Sequence, residues 1–495
     1  MKLIVNGNDY HYELEQLIRV FMPDVKLEKL YNSPCTEGES VLCESTQSEK
    51  EITVKAVCRF DDFCAEKSSV LSGDDLYKRG ELEVCKLLYH MLCEYSSYRP
   101  EWGMQTGVRP TKIFLNLLRN NSEAQAVKYL EEDLFISKNK VALIKQVCDN
   151  EKEIIDSSKD NQFSLYVSIP FCPTRCAYCS FISHSFDSIK KLIPDYIRLL
   201  CEEIAQIAII TKELGLKLRT VYIGGGTPTV LSAQQLSVLL DEIENDFDLS
   251  HLSEATLEAG RPDTFSEEKL LAVKNSFVTR ITINAQTFND DVLEAIGRKH
   301  TADDILKAYA CARKLGFDNI NTDLIAGLQG ESIESFLHSV RSAIDLHAEN
   351  ITVHTLALKR SSFLITRDEA KAQIEAATSA MIFGANKLLY DNGYIPYYMY
   401  RQSKSVGNLE NTGWAKPGCI CEYNIFMMEE VHSVFGAGAG AVTRLVENKT
   451  RTIERFYNYK YPYEYISGFE EMKKRKKEAA NVIKKWQNLD FTPNK

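Results

Sequence analysis

Apolar positions along the chain fall at two spacings, and their arrangement changes near residue 160. Before that point residues 2–6 and 51–60 read as strands, while 11–22, 76–95, 111–120 and 123–150 carry apolar residues at helical spacing. A small N-terminal α+β domain over residues 1–160 is expected. The polar stretch from Asp149 to Gln162, rich in Asp, Glu, Lys and Ser, has the composition of a boundary. From Ser164 onward short β-rich runs alternate with amphipathic stretches. The runs are Leu165–Ile169, Thr220–Ile223, Thr256–Ala259, Arg280–Asn284, Ile320–Ile325 and Ile351–Thr355, and the helical stretches include 189–213, 232–244, 302–315 and 332–346. Six strand-then-helix repeats predict an α/β fold with a parallel sheet, because each crossover returns the chain to the same direction. Curled, that sheet is a partial parallel (β/α)6 TIM-like barrel over residues 161–365, with its chemistry at the C-terminal strand ends. A C-terminal extension, 366–495, begins with a helix over residues 368–391 and continues into an aromatic-rich region with a Gly-rich turn at Gly436–Gly440. The cationic run Lys473–Lys477 is flanked by Glu and reads as a solvated helix face.

Composition narrows the function classes. With 44% hydrophobic and 26% charged residues among 495, the chain has globular proportions and is not largely disordered. Its 59 Lys and Arg against 69 Asp and Glu leave a formal charge of −10, which disfavours nucleic acid and anionic membranes as partners. The opening Met1-Lys2-Leu3-Ile4-Val5-Asn6-Gly7 is too short an apolar run for a signal peptide, so a cytoplasmic location is expected. In that reducing setting disulfides are rare among the 14 cysteines, and close Cys spacing points to metal or redox chemistry.

Three of them stand apart. Cys172-Pro173-Thr174-Arg175-Cys176-Ala177-Tyr178-Cys179 puts three thiols on one loop directly after the first barrel strand. Thiolates suit both zinc and iron–sulfur clusters. Structural zinc requires a fourth protein ligand, and His184 could supply it. Three thiolates on a four-iron cluster would instead leave one iron open, as a reactive centre requires.

That spacing resembles the signature of the radical S-adenosylmethionine (SAM) superfamily. The preceding Tyr166-Val167-Ser168-Ile169-Pro170-Phe171 resembles one subgroup, the oxygen-independent coproporphyrinogen III oxidase-like family, and in particular its long coproporphyrinogen dehydrogenase branch. The likeness runs from about Leu165 to Leu445. It implies a radical SAM barrel, a [4Fe-4S] cluster held by Cys172, Cys176 and Cys179, and bound SAM. Gly224-Gly225-Gly226-Thr227-Pro228-Thr229 is similar to the family's glycine turn, which meets the SAM amino group. Glu258 matches its strand-three glutamate. Gln286, in Asn284-Ala285-Gln286-Thr287-Phe288, Arg298, in Gly297-Arg298-Lys299-His300, and Asp323, in Asp323-Leu324-Ile325-Ala326-Gly327-Leu328, match further family strings. Tyr166 and Tyr178 fall where relatives contact SAM, and Ala357 where they meet the adenine.

The resemblance further implies oxidative decarboxylation of two propionates of coproporphyrinogen III to vinyl groups, giving protoporphyrinogen IX, with flavodoxin or ferredoxin as electron donor. Arg175, Lys359, Arg360 and Arg401 are candidates to hold substrate carboxylates. The sequence also departs from the pattern. Ser168 stands where the oxidases carry histidine, and Gln329 where the family has proline. Tyr423-Asn424-Ile425-Phe426-Met427-Met428 replaces the His-Asn-x-x-Tyr-Trp string of the heme-chaperone branch. Cys419 and Cys421 read as buried thiols, and Thr106-Gly107-Val108-Arg109-Pro110-Thr111-Lys112 resembles the long branch's N-terminal region. An alternative is therefore a tetrapyrrole-binding carrier or an enzyme with another tetrapyrrole substrate, and a third reading is a metal-stabilised binding module.

Overall fold

The computed structural model describes residues 1–34, 38–179, 184–185, 190–357 and 368–489. The chain separates into two compact units, residues 1–145 with 401–409, and residues 146–400 with 410–495.

In the first unit a sheet runs in the order β2-β1-β3-β4-β5, comprising β1 (Lys2–Asn6), β2 (Glu28–Tyr31), β3 (Ser40–Gln47), β4 (Glu51–Phe60) and β5 (Phe63–Ser72). Leu3, Val5, Val41, Cys43, Ile52, Val54 and Ala56 point to one face. There they meet Leu14, Leu17 and Ile18 of helix His11–Phe21 and Val84, Leu88, Met91 and Leu92 of helix Leu76–Ser96. Strand β5 alternates half-buried and exposed residues along its whole length, so its composition carried no β-rich run to be read. The helical spacing over 123–150 resolves into helix Glu123–Lys128, a π-turn at Tyr129–Asp133 and helix Lys138–Ser157.

The second unit contains the six expected strands as consecutive neighbours. They are β6 (Gln162–Ile169), β9 (Lys217–Gly225), β10 (Glu254–Gly260), β11 (Arg280–Ile283), β12 (Ile320–Ala326) and β13 (Asn350–Thr355), every neighbouring pair parallel. Two short strands, β7 (Phe171–Cys172) and β8 (His184–Ser185), form a separate ribbon after β6. The sheet extends past β13 through β15 (Glu410–Ala415) to β14 (Ile395–Arg401), and past β6 through β16 (Ser433–Ala437), β17 (Val442–Glu447) and β18 (Thr452–Tyr457). The residues expected as a C-terminal extension thus build both flanks of the same sheet. Its two edges are β14 and β18, so the barrel stays open.

Period-two alternation sorts the barrel strands into two faces. Leu165, Val167, Val221, Ile223, Ala255, Leu257, Ile281 and Ile283 form the buried apolar face. The opposite face is polar. Tyr166 pairs in register with Tyr222, and Tyr222 with Thr256, while Ser168 lies opposite Gly224. Capping boxes at Ser232 and Thr301 start helices Ala233–Asp246 and Ala302–Lys314, each side chain accepting from the backbone N–H three residues on.

The cationic run at 473–477 is not a uniformly solvated face. Lys476 is fully buried and its Nζ lies 3.0 Å from Glu203 Oε1, which is fully buried too. Asn458 and Tyr465 also donate to the Glu203 carboxylate, at 2.8 and 2.7 Å, as does the Gly438 N–H at 2.7 Å. Every oxygen of that carboxylate is therefore partnered, which is the condition under which a buried ion pair is tolerated. Among the described residues, no helix is long and apolar enough to cross a membrane.

Candidate functional site

The cysteine loop and the glycine turn are held to each other by backbone. After β9 the Gly226 N–H donates to the Ile169 carbonyl at 2.8 Å and the Thr227 N–H to the Phe171 carbonyl at 2.7 Å. A Cβ on Gly226 would stand 2.4 Å from the Phe171 oxygen and 2.7 Å from the Ile169 oxygen, so only glycine permits this approach. Gly225 adopts φ +103°, the left-handed region that favours glycine. The Thr227 hydroxyl reaches 3.6 Å from Cys172 Sγ. Two signals read independently from the sequence, the three thiols and the triple glycine, thus form one rigid substructure at the C-terminal ends of β6 and β9.

Glu258, near the end of β10, faces the same place. Its carboxylate accepts from Tyr222 Oη at 2.6 Å and from the Gly225 N–H at 3.2 Å. Tyr222 stacks on Tyr423 with centroids 4.5 Å apart, and both stack on Tyr166 at 6.3 Å. Burial pushes the Glu258 carboxyl up to about 7; the Tyr222 and Gly225 hydrogen bonds lower it and the Asp323 charge raises it. A carboxyl whose folded value exceeds its unfolded one holds its proton more tightly when folded. Its contribution to stability is therefore present below about pH 4.5 and is lost as pH rises to about 7. Glu258→Gln removes that loss, and its thermal stability at pH 8 should exceed that of the parent by about 3 kcal/mol. Equal pH dependence of melting in parent and variant would show that Glu258 does not titrate in this window.

Across the sheet, Gln286 and Asp323 are joined through the main chain. Gln286 sits at φ +68°, its N–H donating to the Asp323 carbonyl at 2.8 Å and its carbonyl accepting from the Ile325 N–H at 3.0 Å. Burial would raise the Asp323 carboxyl, but His354, Asn321 and Thr352 together hold it below its ordinary value. His354 Nε2 lies 3.9 Å away and Asn321 Nδ2 donates at 2.9 Å. Arg298 and Tyr178 meet directly: Nη2 donates to Tyr178 Oη at 2.9 Å and Nη1 to the Asn284 carbonyl at 3.1 Å. Ala357 follows β13, where the Leu356 N–H bonds the Ala326 carbonyl at 3.0 Å. Apart from Ala357, the site residues fall into three groups: the cysteine loop with Tyr178 and Arg298, the Tyr166, Gly225–Thr227 and Glu258 wall, and the Gln286 and Asp323 bridge.

The carboxylate-binding candidates fare differently. Arg401 is buried in the first unit, where its guanidinium donates to the Gln105 and Asn408 carbonyls and lies 5.2 Å over the Trp102 ring. Arg175 is exposed on the cysteine loop. Lys359 and Arg360 lie outside the described residues, as does the side chain of His184. Ser168 uses its hydroxyl on the Ala439 carbonyl at 2.8 Å, binding the first barrel strand to the Gly-rich turn.

At the other end of the barrel, Glu254 accepts from the Glu422 and Tyr423 N–H groups at 3.0 and 3.2 Å and from Cys421 Sγ at 3.1 Å. Arg280 bonds Glu254 at 3.2 Å and the Cys419 carbonyl at 3.0 Å. This polar floor brings Tyr423 beneath Tyr222, a placement that the sequence did not signal.

Sequence reading also missed Arg261 and Asp263, just beyond Glu258. Arg261 Nη1 lies 2.8 Å from Thr174 Oγ1, 3.2 Å from the Thr174 carbonyl and 3.8 Å from Cys176 Sγ. The only available signal was an arginine directly after the glycine that ends a barrel strand.

Among the described residues, no three His, Cys, Asp or Glu side chains are gathered closely enough to hold a metal ion. The donor set nevertheless fits a thiolate-bound cluster. Three sulfurs share one eight-residue loop, and a buried cation and a hydroxyl are aimed at two of them.

Residues 166–343 match the model of the radical SAM superfamily. The chain is 33% identical over 476 residues, 94% of each chain, to "Oxygen-independent coproporphyrinogen-III oxidase-like protein HemZ" of Bacillus subtilis (strain 168). It is 40% identical over 278 residues, 56% of this chain and 70% of the relative, to "Heme chaperone HemW" of the same organism. Among solved structures, coproporphyrinogen III oxidase (HemN) from Escherichia coli superposes with a TM-score of 0.50 at 21% identity, covering 65% of this chain and 72% of that one.

Proposed function

Because the chain belongs to the oxygen-independent coproporphyrinogen III oxidase-like family of radical SAM proteins, we propose that it oxidatively decarboxylates coproporphyrinogen III to protoporphyrinogen IX. Members of the superfamily use a [4Fe-4S] cluster and SAM. When bound, these supply an electron that splits a C–S bond of SAM and a carbon radical that takes a hydrogen atom from substrate. In this reading Cys172, Cys176 and Cys179 ligate the cluster. Gly225, Gly226 and Thr227 present backbone to the amino acid end of SAM. Glu258, Gln286, Arg298, Asp323, Tyr166, Tyr178 and Ala357 line the rest of its site. The barrel with its flanking strands is the catalytic part, and residues 1–145 with 401–409 form an accessory unit. An electron carrier of flavodoxin or ferredoxin type supplies the reductant.

The observation that carries this reading is the backbone seam between the glycine turn and the cysteine loop. It fixes a thiol-bearing loop and the glycine turn side by side, as a cluster and its chelating co-substrate require.

The 40% identity to a heme chaperone favours a second reading, a tetrapyrrole carrier without turnover. Against it stands Tyr423, at the position of that branch's histidine, with its ring taken up by the stack on Tyr222 and Tyr166. The decisive experiment is anaerobic reconstitution with iron, sulfide, reductant, SAM and coproporphyrinogen III. Loss of two CO2 from the tetrapyrrole together with 5′-deoxyadenosine is expected. Deoxyadenosine formed while the tetrapyrrole stays intact, or tight heme binding with no cleavage, would overturn the oxidase assignment.

A further inference from the structure

The cysteine loop is gripped by a buried cation that lies outside the ligand set. Arg261 is 3% exposed. Its Nε and Nη2 each donate at 3.0 Å to one oxygen of Asp263, a two-point contact that fixes the guanidinium plane. Although burial works to raise it, the Asp263 carboxyl stays well below its usual range because His300 and Arg261 hold it ionised. His300, whose own side chain has no exposure, places Nδ1 3.6 Å from Asp263. With that plane set, Nη1 faces the loop and reaches both oxygens of Thr174 and the sulfur of Cys176. The Ala177 N–H on the Ile296 carbonyl at 3.0 Å and Thr174 Oγ1 on the Gly297 carbonyl at 3.2 Å complete the anchorage.

We propose that Arg261 is a positioning and tuning residue of the cluster site, giving an N–H···S bond and a fixed positive charge to the Cys176 thiolate and so raising the reduction potential of the cluster. The direction follows from electrostatics. One-electron reduction adds negative charge to the cluster, and the Arg261–Asp263 pair, which turns its positive end and an N–H toward one sulfur, stabilises the reduced form more than the oxidised one. Lysine would keep the charge but lose the two-point hold on Asp263. The proposal rests on the assignment of Cys176 as a cluster ligand.

The test is an anaerobic redox titration followed by electron paramagnetic resonance on reconstituted parent, Arg261→Met, Arg261→Lys and Thr174→Val, with iron and sulfide counted for each. Arg261→Met is expected to make reduction harder by at least tenfold in the equilibrium, about 59 mV for one electron, with Arg261→Lys intermediate. Thr174→Val loses a loop anchor but keeps the sulfur contact, so its potential should match the parent. If Arg261→Met takes up no cluster, Arg261→Lys decides: a parental potential there overturns the proposal. So does an equal shift in Thr174→Val, which would make the guanidinium a mere loop support. A parent protein that binds no cluster, or a Cys176→Ala protein that keeps one intact, would instead defeat the ligand assignment.

Discussion

Cys176→Ala should lose the iron–sulfur cluster and with it all SAM cleavage, while the protein stays folded. Cys176 is the buried member of the three loop cysteines, and it is the sulfur that faces Arg261. Removing it leaves two thiols, too few to hold a four-iron centre with a single open corner. It also leaves the guanidinium without its sulfur partner, although Asp263 and Thr174 still satisfy the remaining N–H groups. The fold should survive because the loop remains tied at Thr174 and Ala177 to the turn at 296–297. Iron and sulfide content, visible absorption and deoxyadenosine release measure the effect. The exposed Cys64, in the first unit, supplies the control: Cys64→Ala should match the parent in all three. A Cys176→Ala protein that still releases deoxyadenosine would remove the loop from the mechanism.

Gly226→Ala should reduce SAM cleavage about 100-fold with a smaller loss of stability, because a misplacement of about 1 Å costs that much in rate. The added methyl would meet backbone on three sides, at 2.4 Å from the Phe171 oxygen, 2.7 Å from the Ile169 oxygen and 2.8 Å from the Phe171 nitrogen. Backbone cannot swing aside as a flexible side chain would. The seam must open, separating the glycine turn from the loop that carries Cys172. Overpacking of this kind costs about 1–3 kcal/mol, which the melting temperature will register. The diagnostic is a rise in the SAM concentration needed for half-maximal cleavage together with a fall in turnover, at unchanged iron content. Parental kinetics in Gly226→Ala would show that the seam plays no part in presenting SAM.

The sequence by itself determined the elements whose cause is local. Short β-rich runs located the six barrel strands to within a few residues, as at Ile320–Ile325 against Ile320–Ala326. The spacing of Cys172, Cys176 and Cys179 and the run of glycines at 224–226 announced the chemistry, since both are set by neighbours in the chain. Tertiary structure alone decided what pairs across it. Arg261 meets a sulfur 85 residues away, and Asn458 and Tyr465 reach a buried glutamate more than 250 residues back, through the same network that buries Lys476. Arg401, a candidate to hold substrate carboxylates, is buried with its guanidinium on the Gln105 and Asn408 carbonyls, and β16 to β18 join the barrel sheet from beyond its expected end. The reason is physical. Periodicity reports which face of an element is buried, whereas the partner of a buried charge is chosen by register and packing between elements remote in the chain, and no local pattern records that choice.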